Sequence, residues 1–148
     1  MTRPSSTTAR PLHSVRGLEP GMVATALDDV VVTVEPSRDL APSIHRQRLV
    51  IEGTCTAPIT DEAIRTYLTQ LSDVCGMTTL IAPVTHRSDR YGWAGWIHWE
   101  TSGAHFYAWE SPLFFSIDIY TCKAFDAVEA VRFTRDFFDA TDIVARSV

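Results

Sequence analysis

From residue 45 onward the apolar and polar positions run in two rhythms, one of period two and one near 3.6. RLVIEGTC (48–55) has the apolar, β-branched content of a strand. In TDEAIRTYLTQLSDVCG (60–76), Ile64, Tyr67, Leu68, Leu71 and Val74 fall on one helical stripe, with Thr60 placed as N-cap, acids in the first turn and Gly76 as C-cap. MTTLIAPV (77–84) reads as the next strand, THRSDRYG (85–92) as a polar loop, and GWAGWIHWE (92–100) as a strand with three tryptophans. A Thr-Ser-Gly step (101–103), good turn chemistry, then leads into AHFYAW (104–109) and LFFSIDIYTC (113–122).

In the last of these segments, alternation sends Phe115, Ile117, Ile119 and Thr121 to one face. Phe114, Ser116, Asp118, Tyr120 and Cys122 go to the other. FDAVEAVRFTRDFFDA (125–140) reads as a second helix, in which Asp126 and Glu129 resemble a capping box and Val128, Val131, Phe137 and Phe138 are placed for packing. DIVA (142–145) allows a terminal strand. The order β-α-β-β-β-β-α predicts an α+β two-layer sandwich, an antiparallel sheet with two main helices on one face.

Before residue 45 the pattern weakens. MVATALDDVVVTVE (22–35) contains a strand signal, and PSRDLAPS (36–43) reads as a linker with two prolines. Residues 1–18 hold three arginines and no acid, but Pro4 and Pro11 break the amphipathic helix of a transit peptide, so a disordered tail is expected. The organisation expected is therefore a partly disordered extension over 1–44 and one domain over 45–148.

Composition narrows the classes. At 148 residues and 45% apolar content the chain can bury a core as one domain. A net charge of −5 without a basic patch argues against nucleic acid. Lys123 is the one lysine, so pyridoxal phosphate chemistry, which needs a lysine, has a single unpromising anchor. Three cysteines, Cys55, Cys75 and Cys122, are odd in number and lack a C-x-x-C, which fits a reducing cytosol better than a disulfide framework or structural zinc. No apolar run is long enough to span a bilayer, so a cytoplasmic protein without a membrane partner is expected.

Individual motifs carry less. His98-x-Glu100 is half of a deaminase zinc signature whose P-C-x-x-C half is missing, so no metal site is expected and His98 is assigned a hydrogen bond near the tryptophans. Ser102, His105 and Asp118 lack the elbow of a hydrolase triad. Cys122 lies beside Lys123, a cation able to favour thiolate, though unpaired cysteines are more often small buried hydrophobes. Trp109, Tyr107 and their aromatic neighbours suit core, subunit interface or a stacking pocket.

Taken together, GWAGWIHWETSGAHFYAWESPLFFSIDIYTCKAFDAVEAVRFTRDFF resembles the S-adenosylmethionine decarboxylase family of the short prokaryotic type. DIYTC (118–122) is intact, Ser102 precedes Cys122 by the family's 20 residues, and 45–84 repeats its strand-helix-strand. The resemblance implies a serine that attacks the preceding carbonyl and splits the chain, leaving an N-terminal pyruvoyl group as cofactor. That group couples to the substrate amine and acts as electron sink while carbon dioxide leaves, and a cysteine returns the proton. Carried over, the split falls between Thr101 and Ser102, with Cys122 as proton donor.

The chain departs from the family around the same serine. Thr101 stands for Glu, with Glu100 one step earlier, and Gly103 stands for His. Tyr107 occupies the fifth position after Ser102, where a histidine belongs, while His105 lies two residues away on the same strand face. Trp109 keeps its place, and Glu110-Ser111 replaces Pro-Glu, so Glu110 becomes the acid for the ribose.

The resulting expectation is a homodimer or higher homo-oligomer that binds S-adenosylmethionine or a related small molecule. Ser102, Cys122, His105, Glu100 and Tyr107 are the catalytic candidates, and Glu110, Trp109, Ser116 and Asp118 the substrate-binding ones. Two alternatives keep the fold. In one, an unprocessed chain without cofactor positions the substrate's own carboxylate or α-carbon to displace methylthioadenosine, with Glu100, His105, Tyr107 or Glu110 as base. In the other, the chain is a non-catalytic binding or regulatory subunit.

Overall fold

The computed structural model describes residues 39–148 throughout and only the backbone of residues 25–27 and 30–34. The tail expected over 1–18 lies outside the described residues, as does part of the linker. Strands β1 (Thr25–Leu27) and β2 (Val30–Val34) are followed by β3 (Gln47–Thr54), helix α1 (Asp61–Val74), β4 (Thr79–Ser88), β5 (Gly92–Trp99), β6 (Ser102–Glu110), β7 (Leu113–Thr121), α2 (Ala127–Phe138) and β8 (Asp142–Ser147). They build one sheet in the order β1-β2-β8-β3-β7-β6-β5-β4. The six strands from β8 to β4 pair antiparallel, as the pattern predicts. One pair departs: β2 runs parallel to β8, so the early segment contributes two short strands at the sheet edge.

Both helices form where their caps place them. Thr60 accepts from the Ala63 amide, and α1 closes at Cys75, with Gly76 in the left-handed conformation (φ 62°) one residue beyond the cap. Asp126 accepts from the amides of Val128 and Glu129 at 2.9 and 3.0 Å. The box is not reciprocal, because the Glu129 carboxylate pairs with Arg132 at 2.7 Å. The α1 stripe buries Ile64, Tyr67, Leu68 and Leu71 completely against the sheet, while Val74 is partly buried. Gly95 makes this approach possible, since a Cβ there would stand 2.6 Å from Ile64 Cγ2.

The core lies between helices and sheet. Leu49, Ile51, Ile97, Trp99, Phe106, Phe115, Ile117 and Ile119 supply the sheet side. Tyr67 stacks on Phe133 at 5.4 Å, and its hydroxyl bonds Thr134 at 2.7 Å, which satisfies the one polar atom that this ring takes inside. Thr121, alternating with its apolar neighbours, is also buried and donates to the Lys123 carbonyl.

The polar loop expected at 85–92 is mostly strand. Thr85, His86, Arg87 and Ser88 pair with Gly95, Ala94, Trp93 and Gly92. Their polarity reflects an edge strand whose side chains meet solvent or charged partners: Arg87 pairs with Glu110, and Thr85 bonds Asp61 and Arg65. Pro83 sits where the β4–β5 register shifts, a position at which a missing N–H costs no ladder bond.

Candidate active site

One face of the sheet is covered by helices; the open face carries most of the candidate side chains, whereas Ser102, opposite the buried Trp99, alternates with Ala104 and Phe106 of the core side. Side chains of β3, β7, β6 and β5 that alternate away from the core meet in rows fixed by register. Arg48, Tyr120 and Gly103 form one row, and Val50, Asp118, His105 and Trp96 the next. His98 pairs with Gly103 and is exposed on this face beside Trp96, but the hydrogen bond expected of it near the tryptophans is not found among the described residues.

The corner between β5 and β6 is Glu100-Thr101, because Trp99 pairs with Ser102 across it. Ser102 and Gly103 are therefore strand residues, which corrects their reading as the turn. Gly103 is required where it stands: a Cβ would come within 2.8 Å of the Ile97 carbonyl oxygen. Ser102 projects toward β7, where its hydroxyl accepts a hydrogen bond from the Cys122 amide at 3.0 Å. The Cys122 thiol is partly buried and lies 3.9 Å from the Tyr120 hydroxyl. This contact holds the Tyr120 phenol above its ordinary pKa.

A groove of about 520 Å³ opens around Ser102, lined by Arg48, His98, Glu100, His105, Asp118 and Tyr120 among others. Arg48 grips Asp118 with Nε at 2.9 Å and Nη2 at 2.5 Å. The carboxylate raises the guanidinium's already high pKa and keeps it charged. Lys123 turns elsewhere and donates to the Gly76 carbonyl at 2.8 Å, at the end of α1. This engages the ammonium just beyond the end of α1, away from Cys122, in line with the reading of Cys122 as an ordinary unpaired cysteine.

The groove gathers Ser102, Glu100, His105 and Asp118, with Cys122 joined through its amide. The other candidates lie elsewhere. Tyr107 and Trp109 line a second cavity of about 340 Å³ with His86, Tyr91 and Trp93. At about 3.3 Å per strand residue, Tyr107 is roughly 16 Å along β6 from Ser102 and Glu110 roughly 26 Å. Glu110 is held by Arg87 at 2.8 Å, and Ser116 pairs with Tyr107 and Glu52. Sequence reading missed Arg48 and Tyr120 as site residues. Alternation marks both as polar-face positions, but only the β3–β7 and β6–β7 registers place them beside Ser102.

Among the described residues no three His, Cys, Asp or Glu side chains cluster as metal ligands, and no helix is long and apolar enough to cross a membrane. No curated protein sequence matches the chain. The crystal structure of the adenosylmethionine decarboxylase from Aquifex aeolicus VF5 is similar in fold, with a TM-score of 0.60 at 14% identity, over 71% of this chain and 89% of that one. The family model described as S-adenosylmethionine decarboxylase matches residues 53–148, a span that runs from the end of β3 to the C-terminus and includes Ser102, Cys122 and both helices. With most of the chain covered by that match, and with the sheet and helices of the fold in place, the protein belongs to the S-adenosylmethionine decarboxylase family.

Proposed function

We propose that the chain decarboxylates S-adenosylmethionine or a close relative through a pyruvoyl group made from Ser102. The observation that carries this reading is the Ser102–Cys122 contact, which puts the would-be cofactor residue and the would-be proton donor side by side across two strands. Ser102 directly follows an exposed two-residue corner, so the Thr101–Ser102 bond is open to attack by its own hydroxyl. Glu100 and His105 line the same groove and supply acid and base for that attack. Once formed, the pyruvoyl carbonyl supplies the electron sink for loss of carbon dioxide. Cys122 delivers the proton, and Tyr120 lies beside its sulfur.

The working unit in this reading is a homodimer or larger homo-oligomer of the cytoplasm. Trp96, Tyr107, Tyr120 and Val144 stay exposed on the open sheet face, more apolar surface than a solvent-facing sheet needs. Three free thiols suit a reducing compartment.

A second reading keeps the groove and drops the cleavage. It is favoured by the placement of Tyr107 in the other cavity, at the position where the family's processing histidine belongs. An unprocessed chain would then orient the substrate for displacement of methylthioadenosine. Incubating wild type and Ser102→Ala with S-adenosylmethionine separates the two. Carbon dioxide release abolished by the substitution supports the pyruvoyl route, whereas methylthioadenosine release that survives it supports displacement.

A further inference from the structure

We propose that Arg48 reads the α-carboxylate of the substrate in the Ser102 groove, an inference that rests on the reading of this groove as the substrate site. Of the residues described as lining it, Arg48 is the only fixed cation, against Glu100 and Asp118. Its Nε and Nη2 are engaged by Asp118, and Nη1 has no protein partner among the described residues. The Arg48 side chain stays 49% exposed, so it offers charge and a free donor toward the groove.

Stability does not account for this arginine. A half-exposed ion pair contributes little, and the neighbouring Arg146–Glu52 pair on the same face lines neither cavity described above. What distinguishes Arg48 is its fixed orientation. Asp118 immobilises two of its nitrogens, so the remaining edge is preorganised for an anion. Glu100 at the corner provides the complementary charge for an ammonium. Together they match the zwitterionic head of an α-amino acid and discriminate against an amine that lacks the carboxylate.

The test is binding of S-adenosylmethionine and of its decarboxylated amine to the full chain, read by rapid mixing before turnover, as wild type, Arg48→Gln and Arg48→Lys. Wild type is expected to prefer the carboxylate-bearing ligand about tenfold or more, as for a charge-assisted hydrogen bond. Arg48→Gln should bring that ratio near one, and Arg48→Lys should keep part of it. The ratio is taken within each variant, so a general loss of fold or affinity cancels. Equal binding of both ligands by wild type, or a preference that survives in Arg48→Gln, overturns the role of Arg48 and leaves the groove reading intact. Binding of neither ligand by wild type overturns the groove reading itself, and the inference with it.

Discussion

The Ser102 hydroxyl accepts a hydrogen bond from the Cys122 amide at 3.0 Å, so two residues 20 positions apart meet at adjacent strand ends. The contact follows from register: β6 starts at Ser102 and β7 runs into Cys122, with Gly103 opposite Tyr120. Under the proposed pyruvoyl route, Ser102 and Cys122 would act on neighbouring atoms of one substrate, the amine nitrogen and the α-carbon, without a loop rearrangement.

Gly103 is the position where this chain and the family pattern conflict most physically. Replacing it by Ala puts a Cβ against the Ile97 carbonyl and should cost about 1–3 kcal/mol, as overpacking does. Gly103→His, which would install the residue that the family resemblance implies there, is expected to lower Tm at least as much. Thermal unfolding of both variants checks this, and an unchanged Tm would show that the β5–β6 hairpin opens freely.

Ser72 holds the buried Trp99. The indole Nε1 donates to its hydroxyl at 2.8 Å, Thr79 donates at 3.1 Å, and the serine passes its own proton to the Leu68 carbonyl. Ser72→Ala leaves the indole N–H buried and unpaired, a loss of about 1–3 kcal/mol. Denaturant unfolding should show it, with Trp99 fluorescence as a local probe.

Burial pushes the Cys75 thiol up to about 12. The folded state then keeps its proton at pH values where the unfolded thiol, near 9, has lost it. Stability is full below about pH 9 and declines as pH rises toward 12. Cys75→Val should flatten part of this decline in Tm measured from pH 8 to 11. In the native protein at pH 8, alkylation should reach the partly exposed Cys122 well before the buried Cys75.

Much of this fold is legible in local pattern because local chemistry and packing agree. The Tyr67 stripe, the Thr60 and Asp126 caps and the β7 alternation all match what the structure buries. The second half of the edge strand β4, residues 85–88, was hidden because its polar residues are satisfied by solvent and by Arg87–Glu110, so nothing apolar announces it. The site was half legible. Ser102 and Cys122 are marked by spacing, whereas Arg48 becomes a site residue only through pairing between β3 and β7, some 70 residues apart. The displacement of Tyr107 and Glu110 from the groove follows from the strand rise once β6 runs unbroken from Ser102 to Glu110, whereas the sequence pattern places a turn at Ser102-Gly103.

The intact mass of the freshly purified chain under denaturing conditions tests the central claim most directly. The account predicts two fragments, residues 1–101 and 102–148, the second without a free α-amino group. A single uncut chain that still releases carbon dioxide from S-adenosylmethionine would contradict it.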